Sequence, residues 1–416
     1  MTASPPSSLA DLHDDQIAAL LRSGAHAQLL MAYFGEKEYR ELCQLAKLAA
    51  TRRNPRGRLV FILPGVMGSR LSRVHGGAAN LIWLHPSTIS AGGLLGLAMP
   101  GSRAIRPVGV MLPGYLKLKL WLELSGFSAM FYPFDWRLDI ETVARGFMRT
   151  VEGCSASSVL VVAHSMGGLV ARAALAHDRR RRLGTIIQLG SPNEGSFALV
   201  QALRAAYPTV RKIAALDVQR SAQELARRVF RTLPGLYQML PATEADARID
   251  LFNLEHWPAD DLRPDRRLLG RAQRLHARLP AADDRCRVIV GTHQETIVSL
   301  TRERDGFEYE IRRAGDGTVP ASRAHWRGAP TWYVAENHGA LTQNEAVLSA
   351  VAEILKTGDT ARLTTSAPTL GTEVVRCVTD AQLRSCATAK VHWEALSLDS
   401  RRRILEPVIT PEFEAC

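Results

Sequence analysis

Six short runs of consecutive apolar, β-branched and aromatic residues punctuate the chain, at 58–63, 129–133, 159–163, 185–189, 286–291 and 331–334. They have strand length, and the first is closed by Pro64-Gly65; an unbroken apolar run of that length reads as a strand buried on both faces. Stretches with apolar positions at helical spacing separate several of them, at 114–124, 139–150, 167–178 and 345–355. Strands alternating with helices predict an α/β fold, a mostly parallel sheet with helices on both faces.

The flanks follow other patterns. Residues 14–51 read as helical, with Ile17, Leu20, Leu21, Leu29, Leu30, Tyr33 and Phe34 at helical spacing, a break at Gly35, and Leu42, Leu45, Leu48 and Ala49 on one face of a second stretch. Asn54-Pro55-Arg56-Gly57 then reads as a linker, so 1–57 is a helical extension. The core occupies 58–196 and 285–356, interrupted by 197–284, which is arginine-rich, lacks a convincing buried strand and reads as a helical cap insertion. Residues 357–416 form a C-terminal extension with a strand near 373–378 and a helix near 380–395, which the sequence does not attach to the rest.

Composition narrows the function classes. With 416 residues, 46% hydrophobic and 22% charged, the chain fits one large globular domain with extensions. The net charge of +11 admits nucleic acid or an anionic membrane surface. No recognition helix, zinc-finger spacing or aromatic RNA-binding signature accompanies it, so nucleic acid is set aside and peripheral contact with anionic lipid is the expected partner mode. Residues 1–12 show no secretory signal and no apolar run reaches roughly 18 residues, which predicts a cytoplasmic protein, peripheral to membrane at most. The six cysteines show no metal-ligand spacing and read as reduced thiols.

Chemistry concentrates in three places. In Val159-Leu-Val-Val-Ala-His164-Ser165-Met166-Gly167-Gly168 a buried strand meets a helix at a serine flanked by small residues, the nucleophile elbow of α/β-hydrolases, with Ala163 where a glycine is usual. The competing reading makes Ser165 an ordinary helix N-cap. A serine hydroxyl needs a base, and the base a carboxylate; in this fold the chain order is Ser, acid, His. His338 follows the run at 331–334, where His293 and His325 lack that terminal position, and Asp316 in Gly315-Asp316-Gly317 lies between serine and histidine, although Asp-Gly is also a common turn dipeptide. Asp135 is the reserve acid. The oxyanion donors are the N–H groups of Met166 and of Val66 in Leu63-Pro64-Gly65-Val66-Met67-Gly68, with Met67 as neighbouring alternative. Met67 and His164 complete the site as substrate-facing candidates. The arginine run 179–182 reads either as a phosphate grip or as a solvated basic helix end.

Together the motifs resemble the lecithin:cholesterol acyltransferase family, which includes lysosomal phospholipase and phospholipid:diacylglycerol acyltransferases. The blocks are Leu63-Pro-Gly-Val-Met-Gly-Ser69 with Arg70-Leu71, Ile82-Trp83-Leu84, Tyr132-Pro-Phe-Asp-Trp-Arg137, Ala163-His-Ser-Met-Gly-Gly168 and Gly315-Asp-Gly-Thr-Val-Pro320, with His338 following, in family order over 58–355. The resemblance implies a triad of Ser165, Asp316 and His338, an acyl-enzyme formed from a lipid ester or phospholipid, and no metal or organic cofactor. It also implies a lid loop within 68–107, where Trp83 and residues 91–101 face lipid. The chain has no cysteine between Cys43 and Cys154, so the lid disulfide of secreted relatives is absent, which casts doubt on sterol esterification. The function expected is a serine ester hydrolase or O-acyltransferase; the alternatives are a carboxylesterase for small soluble esters, or a non-catalytic scaffold on the same fold. Oligomeric state is not readable.

Overall fold

The computed structural model describes residues 12–409 except 53, 77, 102–103, 243–248, 368, 370–373 and 387–388; the expectation for 1–11 lies outside the described residues. In chain order the strands are β1 (Leu59–Leu63), β2 (Ser69–His75), β3 (Ala78–Trp83), β4 (Ile105–Val110), β5 (Ser128–Phe131), β6 (Val159–His164), β7 (Leu183–Leu189), β8 (Cys286–Gly291), β9 (Gln294–Glu303), β10 (Gly306–Gly315), β11 (Thr331–Val334) and β12 (Arg376–Thr379). The six apolar runs of the sequence join in one parallel sheet, ordered β11-β8-β7-β6-β1-β5.

Alternation along each strand explains why the runs are apolar throughout. Val60, Ile62, Leu160, Val162, Ile187 and Leu189 enter one core, while Phe61, Leu63, Val159, Val161, Ala163 and Ile186 enter another across the sheet. The N-terminal region forms α1 (Asp14–Ser23), α2 (Ala27–Phe34) and α3 (Glu36–Arg52), with one break more than the sequence predicts. That break falls at Gly24, whose φ of 72° suits a residue without a side chain. Next come α4 (Pro86–Ser90), α5 (Leu112–Leu124), α6 (Ile140–Gly153) and α7 (Met166–Leu175). α5 is apolar around most of its circumference because it contacts both β5 and α3; its buried Lys119 is neutralised by Asp14 at 2.5 Å and Asp15 at 3.1 Å.

Within 68–107, where the family resemblance implies a lid loop, lie β2, β3 and the first residues of β4. They form a small antiparallel sheet, β3-β2-β4, because Leu71, Ile82, Trp83 and Ile105 turn inward onto the core. Leu94 and Leu97 of the Gly/Leu-rich segment are buried in the same core. Between β7 and β8 the described residues hold the helices Ala198–Leu203, Pro208–Leu216, Ala222–Arg228, Pro234–Tyr237 and Arg266–His276 and no strand.

β9 and β10 form a hairpin that the sequence reading did not separate, and β12 pairs antiparallel with β10. The C-terminal segment is thereby tied in twice. Asp380 accepts from Tyr309 Oη at 2.6 Å and from Arg204 Nε at 2.8 Å, and Lys390 Nζ donates to the carbonyls of Ala214 and Asp217 at 2.8 and 2.6 Å. The thiol expectation needs correction: Cys43, Cys154, Cys286 and Cys377 are free, but Cys386 is disulfide-bonded. Among the described residues no helix is long and apolar enough to cross a membrane.

Candidate active site

Ser165 sits between β6 and α7 with φ 53° and ψ −124°, a conformation that an L-residue holds only when its surroundings impose it. The following glycines are part of that imposition. A Cβ on Gly167 would stand 2.5 Å from the Pro64 carbonyl oxygen, and one on Gly168 would stand 1.8 Å from Ser191 Oγ, so α7 packs against the end of β1 and the segment after β7 only without side chains there. Ala163, the departure from the usual glycine, is fully buried in the core. Met166 opens α7, where the first N–H has no carbonyl one turn back to donate to and the helix dipole is positive.

His338 follows β11 in a loop and lines the same cavity as Ser165. Its Nδ1 lies 2.7 Å from Asp316 Oδ2, and its backbone N–H donates to the Asp316 carbonyl at 2.8 Å. The other carboxylate oxygen accepts from the Thr318 and Val319 N–H groups at 3.0 and 2.7 Å, which fixes the acid's orientation. An ionised carboxylate only accepts, so Nδ1 carries the proton and Nε2 keeps a lone pair for a proton acceptor's role. Room for this pair comes from Gly190, at φ 56°: a Cβ there would lie 2.9 Å from Asp316 Oδ2 and 3.1 Å from His338 Nδ1. Asp135, the reserve acid, is engaged elsewhere. It holds Arg137 through Nε at 2.9 Å and Nη2 at 2.7 Å in a buried bidentate pair, beside the Trp136 indole that donates to the Ser69 carbonyl.

Gly65, Val66, Met67 and Gly68 form the wall facing the serine. Met67 has φ 63°, and its carbonyl accepts from the Trp83 indole N–H at 2.7 Å. Trp83 is 1% exposed, packs edge-on against Trp136 at 5.3 Å, and still lines the cavity, so it is core and wall together. Residues 91–101, expected to face lipid, do not line it. The 197–284 region does so instead, with Leu199, Ala202, Tyr207, Leu236 and Met239. The cavity between them is narrow, about 90 Å³, and largely apolar. The run 179–182 lies away from it; Arg182 Nη2 donates to the Val151, Cys154 and Ala156 carbonyls, and Arg181 pairs with Asp284.

His164 also reaches the cavity wall, yet both its ring nitrogens are engaged, Nδ1 with Tyr115 Oη at 2.9 Å and Nε2 with the His338 carbonyl at 3.0 Å. With both nitrogens engaged, only the ring's carbon surface is left to face the cavity. Burial and the adjacent His338 push its imidazole down to about 3. Tyr115 escaped the sequence reading because one tyrosine in an apolar helix gives no local sign of its partner. Gly190 could have been noticed, since it directly follows an apolar run at the position where α/β sheets place their sites.

A family profile described as "PGAP1-like alpha/beta domain" matches residues 145–233, which include the Ser165 turn. No curated protein matches the chain. Among solved structures, a chain of the Tle4–Tli4 complex is similar over 73% of this chain and 100% of its own, at 14% identity and a TM-score of 0.52. The mature form of a Bacillus licheniformis lipase (12% identity, 74% of this chain and 94% of that one, TM-score 0.37) and a metagenomic carboxyl esterase (13%, 69% and 66%, 0.34) also align, at scores too low to add to the argument. With helices around a six-stranded parallel sheet and a serine at the strand-to-helix turn, this chain has the α/β-hydrolase fold.

Proposed function

We propose that the chain is a serine ester hydrolase or acyltransferase working through an acyl-enzyme on Ser165. Ser165 attacks the ester carbonyl as His338 Nε2 takes its proton; Asp316 holds the imidazole, and the Met166 and Val66 N–H groups receive the oxyanion, with Met67 beside them. His338 then returns the proton to the leaving alcohol and activates water or an acceptor alcohol to release the acyl group. The chemistry needs no metal or organic cofactor. One observation carries the reading: a strained serine shares a buried cavity with an imidazole bound to a buried carboxylate.

The substrate proposed is a lipid ester, phospholipid included, as the resemblance to the lecithin:cholesterol acyltransferase family implies. The apolar wall of Met67, Trp83, Leu199, Leu236 and Met239 supports it. Peripheral contact with anionic membrane and a cytoplasmic setting belong to the same proposal; the net charge of +11 and the exposed Arg266, Arg267, Arg271 and Arg274 of one helix support the former.

A fluorophosphonate probe tests the chemistry. Labelling of the wild type and its loss in Ser165→Ala are the expected results; an unlabelled wild type returns the scaffold reading. Hydrolysis rates across a series of ester chain lengths, with and without anionic vesicles, test the substrate. Preference for short soluble esters, indifferent to vesicles, favours the carboxylesterase alternative. Product analysis with and without added alcohol separates hydrolysis from transfer.

A further inference from the structure

The chemistry proposed for Ser165 needs three segments in one fixed arrangement: the loop after β1, the serine turn, and the loop bearing His338. We infer that Tyr115 and His164 are positioning residues that hold these segments in register through one directed chain of hydrogen bonds. The inference rests on the Ser165 reading above and goes beyond it.

The direction of every link follows from the groups involved. The His338 carbonyl, 3.0 Å from His164 Nε2, only accepts, so Nε2 carries the proton. A neutral imidazole then offers Nδ1 as an acceptor, and the Tyr115 hydroxyl 2.9 Å away donates to it. The same tyrosine oxygen accepts the Gly65 N–H at 2.8 Å. With an N–H at one end and a carbonyl at the other, no link can reverse. Tyr115 and His164 are 5% and 7% exposed, so water competes little for these bonds. The depressed basicity of His164 keeps its ring neutral through the neutral range, as the chain requires.

Each end of the chain touches the proposed machinery. Gly65 begins the loop of oxyanion donors and lies against the serine, since a Cβ on it would stand 3.0 Å from Ser165 Cβ. At the other end the His338 backbone is gripped from two sides, its N–H by the Asp316 carbonyl and its carbonyl by His164. Tyr115 is a firm origin because α5 is itself bonded to the segment after His338, through Thr342 Oγ1 to the Gly114 carbonyl at 2.6 Å. The arrangement also stops His164 from competing as a base: its ring centroid is 4.7 Å from that of His338, but its acceptor nitrogen is occupied.

Fluorophosphonate labelling rate and stoichiometry, together with kcat and KM on an accepted ester, test this. Tyr115→Phe, which keeps the ring and removes the oxygen, and His164→Leu, which removes both ring nitrogens, should label to full stoichiometry. Their labelling rates and kcat should fall roughly 10- to 100-fold, with KM changed little. His164→Gln, an uncharged group with both a donor and an acceptor, should recover most of the rate. The Tyr115→Phe/His164→Leu double variant should be no slower than His164→Leu, because the chain is already broken. Wild-type rates in both single variants, multiplied losses in the double, or no recovery in His164→Gln would overturn the inference. Misfolding registers as lost stoichiometry rather than as a slower rate in the labelled fraction, and an unlabelled wild type would sink the Ser165 reading itself.

Discussion

At the scale of single residues, the site places two imidazoles side by side and gives them opposite duties. In the proposed mechanism His338, with Nδ1 on a carboxylate, offers Nε2 for chemistry, whereas His164 is engaged at both ring nitrogens. Asp316→Asn removes the charge that favours the working tautomer while preserving shape, and kcat should fall by roughly 10⁴ with KM nearly constant. Steady-state kinetics on any accepted ester measures it. His164 also predicts a pH dependence of stability. Its pKa is lowered from 6.5 to about 3 in the folded chain, so between those values unfolding takes up a proton. Stability is therefore complete above about 6.5 and is lost as pH falls toward 3; His276, pushed down to about 4 by burial, acts in the same direction. Urea midpoints should be level from pH 8 to 7 and decline below, less steeply in His164→Gln; equal slopes in the two proteins would assign the decline elsewhere.

At the scale of elements, the site depends on how closely backbone segments approach. Gly167→Ala would set a methyl group 2.5 Å from a carbonyl oxygen at the end of β1, and neither α7 nor the sheet has slack to absorb it. The expected loss is roughly 1–3 kcal/mol in denaturant unfolding, with slower probe labelling in the folded fraction. Arg137, whose side chain is 3% exposed, is paired with Asp135. Asp135→Asn leaves that guanidinium buried without its counter-charge and should cost about 3–5 kcal/mol, while folded molecules still label. Lost labelling at unchanged stability would instead make Asp135 the working acid.

At the scale of the molecule, the region inserted between β7 and β8 and the C-terminal segment are held by one charge cluster centred on a buried arginine. Arg204 is 0% exposed and bonded to Asp260 at 2.7 and 2.8 Å and to Asp380, which also receives the Tyr309 hydroxyl and the Phe307 N–H. Asp380→Ala strands several of these donors at once, and a drop of about 3–5 kcal/mol in unfolding free energy is expected. If calorimetry found the variant as stable as wild type, the C-terminal segment would be an appendage after all rather than part of the fold.

The sequence by itself determined whatever is written in short-range pattern. The apolar runs at 286–291 and 331–334 are strands with those bounds, the Ser165 turn is announced by its strand and glycines, and the order serine, aspartate, histidine is a property of the chain. Even the β9–β10 hairpin left a trace in Asp305-Gly306 followed by alternating Phe307, Tyr309 and Ile311, blurred by interleaved charges. Tertiary structure alone decided which polar group meets which. It brought Asp316 rather than Asp135 to His338, joined Tyr115 to a histidine 49 residues away, paired β2 with β3 and β4, and attached β12 to β10. Periodicity and turn chemistry act over a few neighbouring residues, but a hydrogen bond between distant segments exists only once packing has fixed the distance and direction between them.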